Sequence, residues 1–184
     1  MSKFTQFVVL LLVLALVVTP FVVATVNNPG GAGGGGAAGG GAALTADNPL
    51  YTPSAAALSA VLNADNFEAP VYVLSDGVVS YRIGTSGGNR VGAAFVVSVR
   101  GFNPAGMVFL VGVDSSGAVS GVEIIQQNES ADWWEMIEDA GFIGRLIGNT
   151  AGTAFDGVSG ATVTARALYD GTQAALNYFV NNIQ

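Results

Sequence analysis

AAFVVSVRGFNPAGMVFLVGVDSSGAVSGVEIIQQ, residues 93–127, is the stretch from which the fold is read. Ala93 to Val99 and Met107 to Val113 are two apolar runs separated by the Gly-, Asn- and Pro-containing segment Gly101 to Gly106. Short apolar runs bounded by such punctuation read as buried strands. Asp114-Ser115-Ser116-Gly117 is a turn, and Ala118 to Gln127 continues as a further strand. Upstream, Val71 to Leu74 and Val78 to Ile83 flank Ser75-Asp76-Gly77, a hairpin signal, and Pro53 to Leu62 reads as a short alanine-rich helix opened by Thr52 or Ser54. Downstream, Asp132 to Asp139 reads as a short helix, with Phe142 to Ile147 a further helical turn. Thr162 to Val180 is the clearest helix, with Ala165, Leu168, Ala175, Leu176 and Phe179 on one broad face, although Gly171 weakens its middle. Strands followed by helices predict an α+β domain, an antiparallel sheet with flanking helices, over residues 48–184. No internal repeat is present.

Two segments precede this domain. Phe7 to Val26 is uncharged and dominated by Val, Leu, Phe and Ala. At about 1.5 Å per residue it spans the roughly 30 Å hydrocarbon layer, so residues 1–26 read as a cytoplasmic N-terminus and one transmembrane helix. Lys3, the only charge before it, places the N-terminus in the cytoplasm and the rest on the extracytoplasmic side of the cell's inner or plasma membrane. A cleaved signal peptide ending near Val22-Val23-Ala24 is the alternative, with the same destination for the domain. Residues 27–47 are a linker in which Gly30 to Ala43 holds only glycine and alanine. Such a coil has an r.m.s. span of about 20–25 Å and reads as a tether. The GxGxxG string inside it is a product of low complexity, since no strand leads into it.

Composition narrows the chemistry. With no cysteine and no histidine among 184 residues, disulfides, thiolate metal sites, imidazole general bases and histidine-ligated haem are excluded. Lys3 is the only lysine, which removes P-loop and Schiff-base chemistry from the domain. A net charge of −7 repels phosphate backbones, so nucleic acid is not an expected partner. Carboxylates, hydroxyls and arginines remain, or a cofactor with its own chemistry.

Asp156-Gly157-Val158-Ser159-Gly160-Ala161-Thr162 stands immediately before the last helix. Its glycines permit a tight turn, and the helix start offers unpaired amides and the positive end of the dipole. That is a natural anion site, and a phosphate there needs no lysine. The plain alternative is that Ser159 or Thr162 acts as an N-cap and nothing more.

The whole pattern resembles the flavinylation motif Asp-x-x-(Ser/Thr)-Gly-Ala-Thr of the FMN-binding domain family. Representatives of that family are the FMN-carrying subunits of the Rnf complex and of the sodium-pumping NADH:quinone oxidoreductase. The likeness extends to the glycine–aromatic loop Gly101 to Gly106 with the strand, turn and strand after it, and covers about residues 66–180. The resemblance implies a covalent cofactor: FMN joined through a phosphoester to Thr162, made by a dedicated flavin transferase that needs Asp156, with Ser159, Gly160 and Ala161 as further recognition residues. It implies an electron-transfer subunit of a membrane-bound, ion-translocating oxidoreductase of Rnf type, a translocase whose partners are its other subunits and the membrane lipid. A stand-alone membrane-anchored flavoprotein and a non-redox surface module of the same fold are the alternatives.

One segment departs from the family. Where the family has a Glu-Thr-Pro-Gly-Leu-Gly-like loop touching the flavin ring, this chain has Glu129-Ser130-Ala131-Asp132-Trp133-Trp134. Glu129 fits and Ser130 stands for Thr, but the remainder is replaced. Trp133, with Trp134 second, is expected to stack on the ring; the alternative is that one of them anchors the short helix in the core. The acids Glu135, Glu138 and Asp139 read as a solvated face, with Arg145 near enough to pair with one of them.

Overall fold

The structure, a computed structural model, describes residues 51–184. The expected anchor at 7–26 and the linker at 27–47 lie outside the described residues. Among the described residues no helix is long and apolar enough to cross a membrane. In chain order the elements are α1 (Ala55–Val61), β1 (Asn66–Phe67), β2 (Val71–Ser75), β3 (Val78–Ser86), β4 (Asn89–Val99), β5 (Met107–Asp114), β6 (Val119–Gln127), α2 (Ala131–Asp139), α3 (Phe142–Leu146) and α4 (Thr162–Asn182). The strands form one antiparallel sheet in the order β1-β3-β4-β5-β6, and β2 also pairs with β3. The α+β architecture with flanking helices is as expected. Ser54 is the residue that caps α1, accepting the Ala57 N–H at 3.1 Å.

Local chemistry sets the hairpins. Ser75 pairs with Val78, leaving Asp76-Gly77 as a two-residue loop with φ of 52° and 84°. Positive φ at both positions is what the twist of a two-residue hairpin demands, and an Asp-Gly pair supplies it. A second loop of this kind, Gly87-Gly88 with φ of 57° and 80°, joins β3 to β4 where Ser86 pairs with Asn89. It lengthens both strands beyond the runs read from hydrophobicity alone.

Both faces of the sheet are covered. Ala93, Phe95, Val97 and Val99 of β4, with Met107, Phe109, Val111 and Val113 of β5, point to α2, α3 and α4 and form the larger core with Leu168, Leu176 and Phe179. The alternate residues Ala94, Val96, Val108 and Leu110 point the other way, against Leu58, Val61 and Leu62 at α1. A near-continuous apolar run in β4 and β5 is the signature of a strand buried on both faces. Each fully buried Phe or Leu contributes roughly 1.5–3 kcal/mol from area removed from water.

Glycines let the helices approach. A Cβ on Gly112 of β5 would lie 1.9 Å from the Val61 carbonyl oxygen, and one on the paired Gly121 of β6 would lie 2.7 Å from Val61 Cα. The end of α1 therefore sits on strand backbone, and the Ser120 hydroxyl donates to that same Val61 carbonyl at 2.6 Å. On the opposite face, a Cβ on Gly171 would come within 2.8–2.9 Å of Val97 and Val99 Cγ1 and Phe109 Cζ. The glycine that weakens α4 by propensity is what allows α4 to lie close on the sheet.

Candidate functional site

Three segments distant in sequence meet at the N-terminal end of α4: the β4–β5 loop 100–106, the β6–α2 junction 128–134, and the turn 156–161. The long connection from α3 to α4 is pinned before it reaches that turn. The Gln173 side chain accepts the Gly152 N–H at 2.8 Å and donates to the Thr150 carbonyl at 3.2 Å, while the Tyr169 hydroxyl donates to the Thr153 carbonyl.

The turn closes with the Ala161 N–H donating to the Val158 carbonyl at 3.2 Å, and Gly160 takes φ of 88°. A side chain at Gly160 would also meet Met136 Sδ at 2.9 Å. The expected capping by Ser159 or Thr162 is not what forms. The cap position is Ala161, and no side chain caps α4. Ser159 lies two residues too early to reach the first amides, and Thr162 is already the first helical residue. Its hydroxyl instead donates back to the Val158 carbonyl at 3.1 Å. Thr162 and Ser159 are exposed, and no acidic residue occupies the first turn of α4. The result is an accessible hydroxyl at the positive end of a 21-residue helix whose first turn carries no acidic side chain of its own. Ala161, in contrast, is 2% exposed and belongs to the core, so its side chain packs rather than presents itself.

Asp156 sits at the surface in an ion pair with Arg145 of α3, 2.8 Å apart. This corrects the expectation that Arg145 pairs with an acid of α2. Arg145 lies at the end of α3, its guanidinium also 5.1 Å from the Phe142 ring centroid, and from there it reaches the turn before α4. Of the four acids of α2, Glu138 accepts the Trp134 indole N–H at 2.8 Å.

The adjacent tryptophans have different roles. Trp133 donates its indole N–H to the Gly160 carbonyl at 3.0 Å and stacks on Phe102 with ring centroids 4.4 Å apart. It thus joins the loop 100–106 to the turn, with one face already covered by Phe102, itself 55% exposed. Trp134 bonds within its own helix. Both rings are half-buried and pack against the larger core, so each also anchors α2.

Glu129 is buried at 7% exposure. Its carboxylate accepts the N–H groups of Phe102 at 3.2 Å and Asn103 at 3.0 Å and the Thr164 hydroxyl at 2.5 Å. Gly101 has no side chain because a Cβ there would meet Glu129 Oε1 at 2.5 Å. Ser130 is exposed and starts α2 without a side-chain capping bond. On the outer face of α4, Arg166 lies over the Phe155 ring at 3.7 Å and faces Asp170 at 3.9 Å. Burial raises the Asp170 carboxyl above the usual carboxylate range, and Arg166 offsets this only in part.

The structure therefore brings Glu129, Trp133, Ser159, Gly160, Ala161 and Thr162 to one end of α4, extends to Asp156 through Arg145, and leaves Trp134 bonded to its own helix. Sequence reasoning does not single out Phe102, Met136, Arg145 or Thr164 for this site. A polar residue at Thr164, on the face that periodicity assigns to the core, is the signal that could have found one of them. The residues present fit a phosphate at this helix start: an exposed hydroxyl at Thr162 and first-turn amides of α4 that no side chain caps. Exposed Phe102 and half-buried Trp133 offer aromatic surface to a ring.

Among known families, the model of the FMN-binding domain matches residues 104–177. That span runs from the β4–β5 loop through most of α4 and includes Glu129 and Asp156 to Thr162. No curated protein matches the chain. The match supports a relationship to the FMN-binding domain family, FMN as the cofactor, and a flavin-binding electron-transfer module.

Proposed function

We propose that this chain is the electron-transfer subunit of a membrane-bound, ion-translocating oxidoreductase of Rnf type, carrying FMN esterified to Thr162. The observation that carries the reading is the exposed, non-capping Thr162 hydroxyl at the start of α4, inside the segment that matches the FMN-binding domain. Forming the ester joins Thr162 Oγ1 to the flavin phosphate with loss of the elements of water. The amides and dipole of α4 would stabilise the anionic phosphate, and this requires no lysine. The flavin, when bound, supplies the one- and two-electron chemistry that this chain's side chains lack.

The remaining residues hold and present. Asp156, Ser159 and Gly160 lie at the surface, where a flavin transferase can reach them, and Arg145 fixes the Asp156 carboxylate. Ala161 serves recognition by packing the turn into the core. Trp133 and the exposed Phe102 stacked on it would offer aromatic surface to the flavin ring. The apolar stretch 7–26 would anchor the chain, single-pass, with the domain extracytoplasmic, and the Gly/Ala run 30–43 would tether it so that it shuttles between donor and acceptor subunits.

The test is purification from native membranes in mild detergent, followed by denaturing electrophoresis. Flavin fluorescence migrating with this chain, together with multi-span partners in the intact complex, is the expected result. A flavin-free chain would remove the redox reading, and a flavinylated chain that purifies alone would replace the complex with a stand-alone flavoprotein.

A further inference from the structure

Glu129 is nine-tenths buried and outside any chemistry described so far, although resemblance alone would place it against the flavin ring. Its surroundings assign it otherwise. One oxygen accepts from Asn103 N and the other from Phe102 N and Thr164 Oγ1. These donors belong to two elements: the loop that carries Phe102, and the first turn of the helix that begins at Thr162. Thr164 is 1% exposed, so it too faces inward. The junction holding Glu129 is itself fixed, since Glu129 N donates to Gln127 Oε1 at 2.7 Å and the Asn103 side chain donates to the Asn128 carbonyl. The Asn128 side chain donates to the Gly106 carbonyl at 2.9 Å, which closes the loop from its other end.

We infer that Glu129 is a positioning residue: its carboxylate latches the loop 101–103 to the first turn of α4, and so holds Phe102 on Trp133 beside Thr162. The chemistry of the donors favours this role. A carboxylate accepts several bonds at once and carries a charge that strengthens each, whereas an amide accepts through one oxygen only. With Gly101 packed against the carboxylate, the latch leaves no space for a ligand atom on that side. Glu129 therefore acts on a flavin ring through Phe102 and Trp133 rather than by touching it. That last step rests on the proposed function; the latch itself does not.

The experiment uses the full-length chain and three variants, Glu129→Gln, Thr164→Val and Thr164→Ser. Hydrogen exchange is resolved to individual amides, and near-ultraviolet circular dichroism reads the Phe102–Trp133 stack. In Glu129→Gln, exchange at the Phe102 and Asn103 amides accelerates by about tenfold to a hundredfold, the scale of a lost charge-assisted bond, while amides of β4 and β5 keep their rates. Thr164→Val weakens the near-ultraviolet signal in the same way, and Thr164→Ser, which keeps the hydroxyl, restores it. Uniform acceleration throughout the sheet, or unchanged rates at Phe102 and Asn103, overturns the latch. Where the chain carries flavin, the flavin absorption bands shift in Glu129→Gln with the ester intact by peptide mass; unshifted bands overturn the link to the ring. A chain without flavin fails the proposed function alone, and the exchange measurement still decides the latch.

Discussion

The two faces of the sheet are closed by helices in different ways. On one face the seven-residue α1 ends on strand backbone, its Val61 carbonyl set over the glycine pair Gly112 and Gly121 and bonded by Ser120. On the other, the 21-residue α4 packs through side chains and comes close at Gly171. The first contact is short, and the Val61 carbonyl set against the sheet is bonded by a side chain. The second leaves Ser159, Gly160 and Thr162 exposed at the start of a long helix whose inner face, Thr164, Ala165 and Leu168, is buried from its first turn. Packing of the inner face of α4 and exposure of Thr162 on its outer side belong to one arrangement: the helix is held from its first turn onward, so the outer side of that turn can carry chemistry.

The contrast predicts unequal costs. Gly112→Val should be the most damaging substitution, because a carbonyl oxygen 1.9 Å from the new Cβ cannot move without displacing α1. We expect a loss of about 3 kcal/mol or more, read as a fall of roughly 10 °C or more in Tm. A Tm within a degree or two of wild type would show that α1 is not docked on Gly112. On the α4 face, Gly171→Ala pits a gain of about 1 kcal/mol in helix propensity against overpacking of about 1–3 kcal/mol. The atoms in the way are methyl and ring carbons, which yield more than backbone does, so a smaller net loss of at most about 2 kcal/mol is expected in chemical denaturation. Stabilisation instead would mean that α4 stands farther from β4 and β5.

A smaller effect separates the sheet's hairpin ends from both faces. Burial opposes ionisation of Asp114, but the Ser116 hydroxyl and the amides of Ala118, Ser116 and Gly117 outweigh it and hold the carboxyl below its usual range. The folded value lies below the unfolded one, near 3.8. The stabilisation is therefore complete above the unfolded value and lost as pH falls through the folded one. Asp114→Asn should lower the denaturant midpoint at pH 7 by an amount worth at most about 1 kcal/mol, with the difference shrinking towards pH 2. A difference independent of pH would assign the effect to shape rather than charge.

Local signals carried most of the fold. Asp76-Gly77 sets its own hairpin, Ser54 its own cap, and the apolar runs in β4, β5 and α4 show which elements are buried. The two-residue strand β1 left no pattern, because two residues have no period to read. The site was legible where it is contiguous, from Asp156 to Thr162, and at Glu129 and Trp133 through the resemblance, whereas the contacts that join distant segments were not legible. Glu129 and Thr164 are 35 residues apart, and Asp156 and Arg145 meet only because of the direction in which α3 ends. Adjacent tryptophans with opposite partners make the same point: Trp133 crosses to Gly160, whereas Trp134 turns to Glu138 on its own helix.

The least effect on stability should accompany the largest effect on function. Thr162 is exposed and caps nothing, so Thr162→Ala should change Tm by no more than surface substitutions usually do, within about 0.5 kcal/mol. The direct measurement is the mass of the peptide spanning Phe155 to Arg166 from protein made in its native membrane, beside the same peptide from Thr162→Ala. The account predicts a wild-type peptide heavier by FMN less one water, with the added mass on Thr162 and absent from the variant. An unmodified wild-type peptide, or the same added mass on another residue, would contradict it.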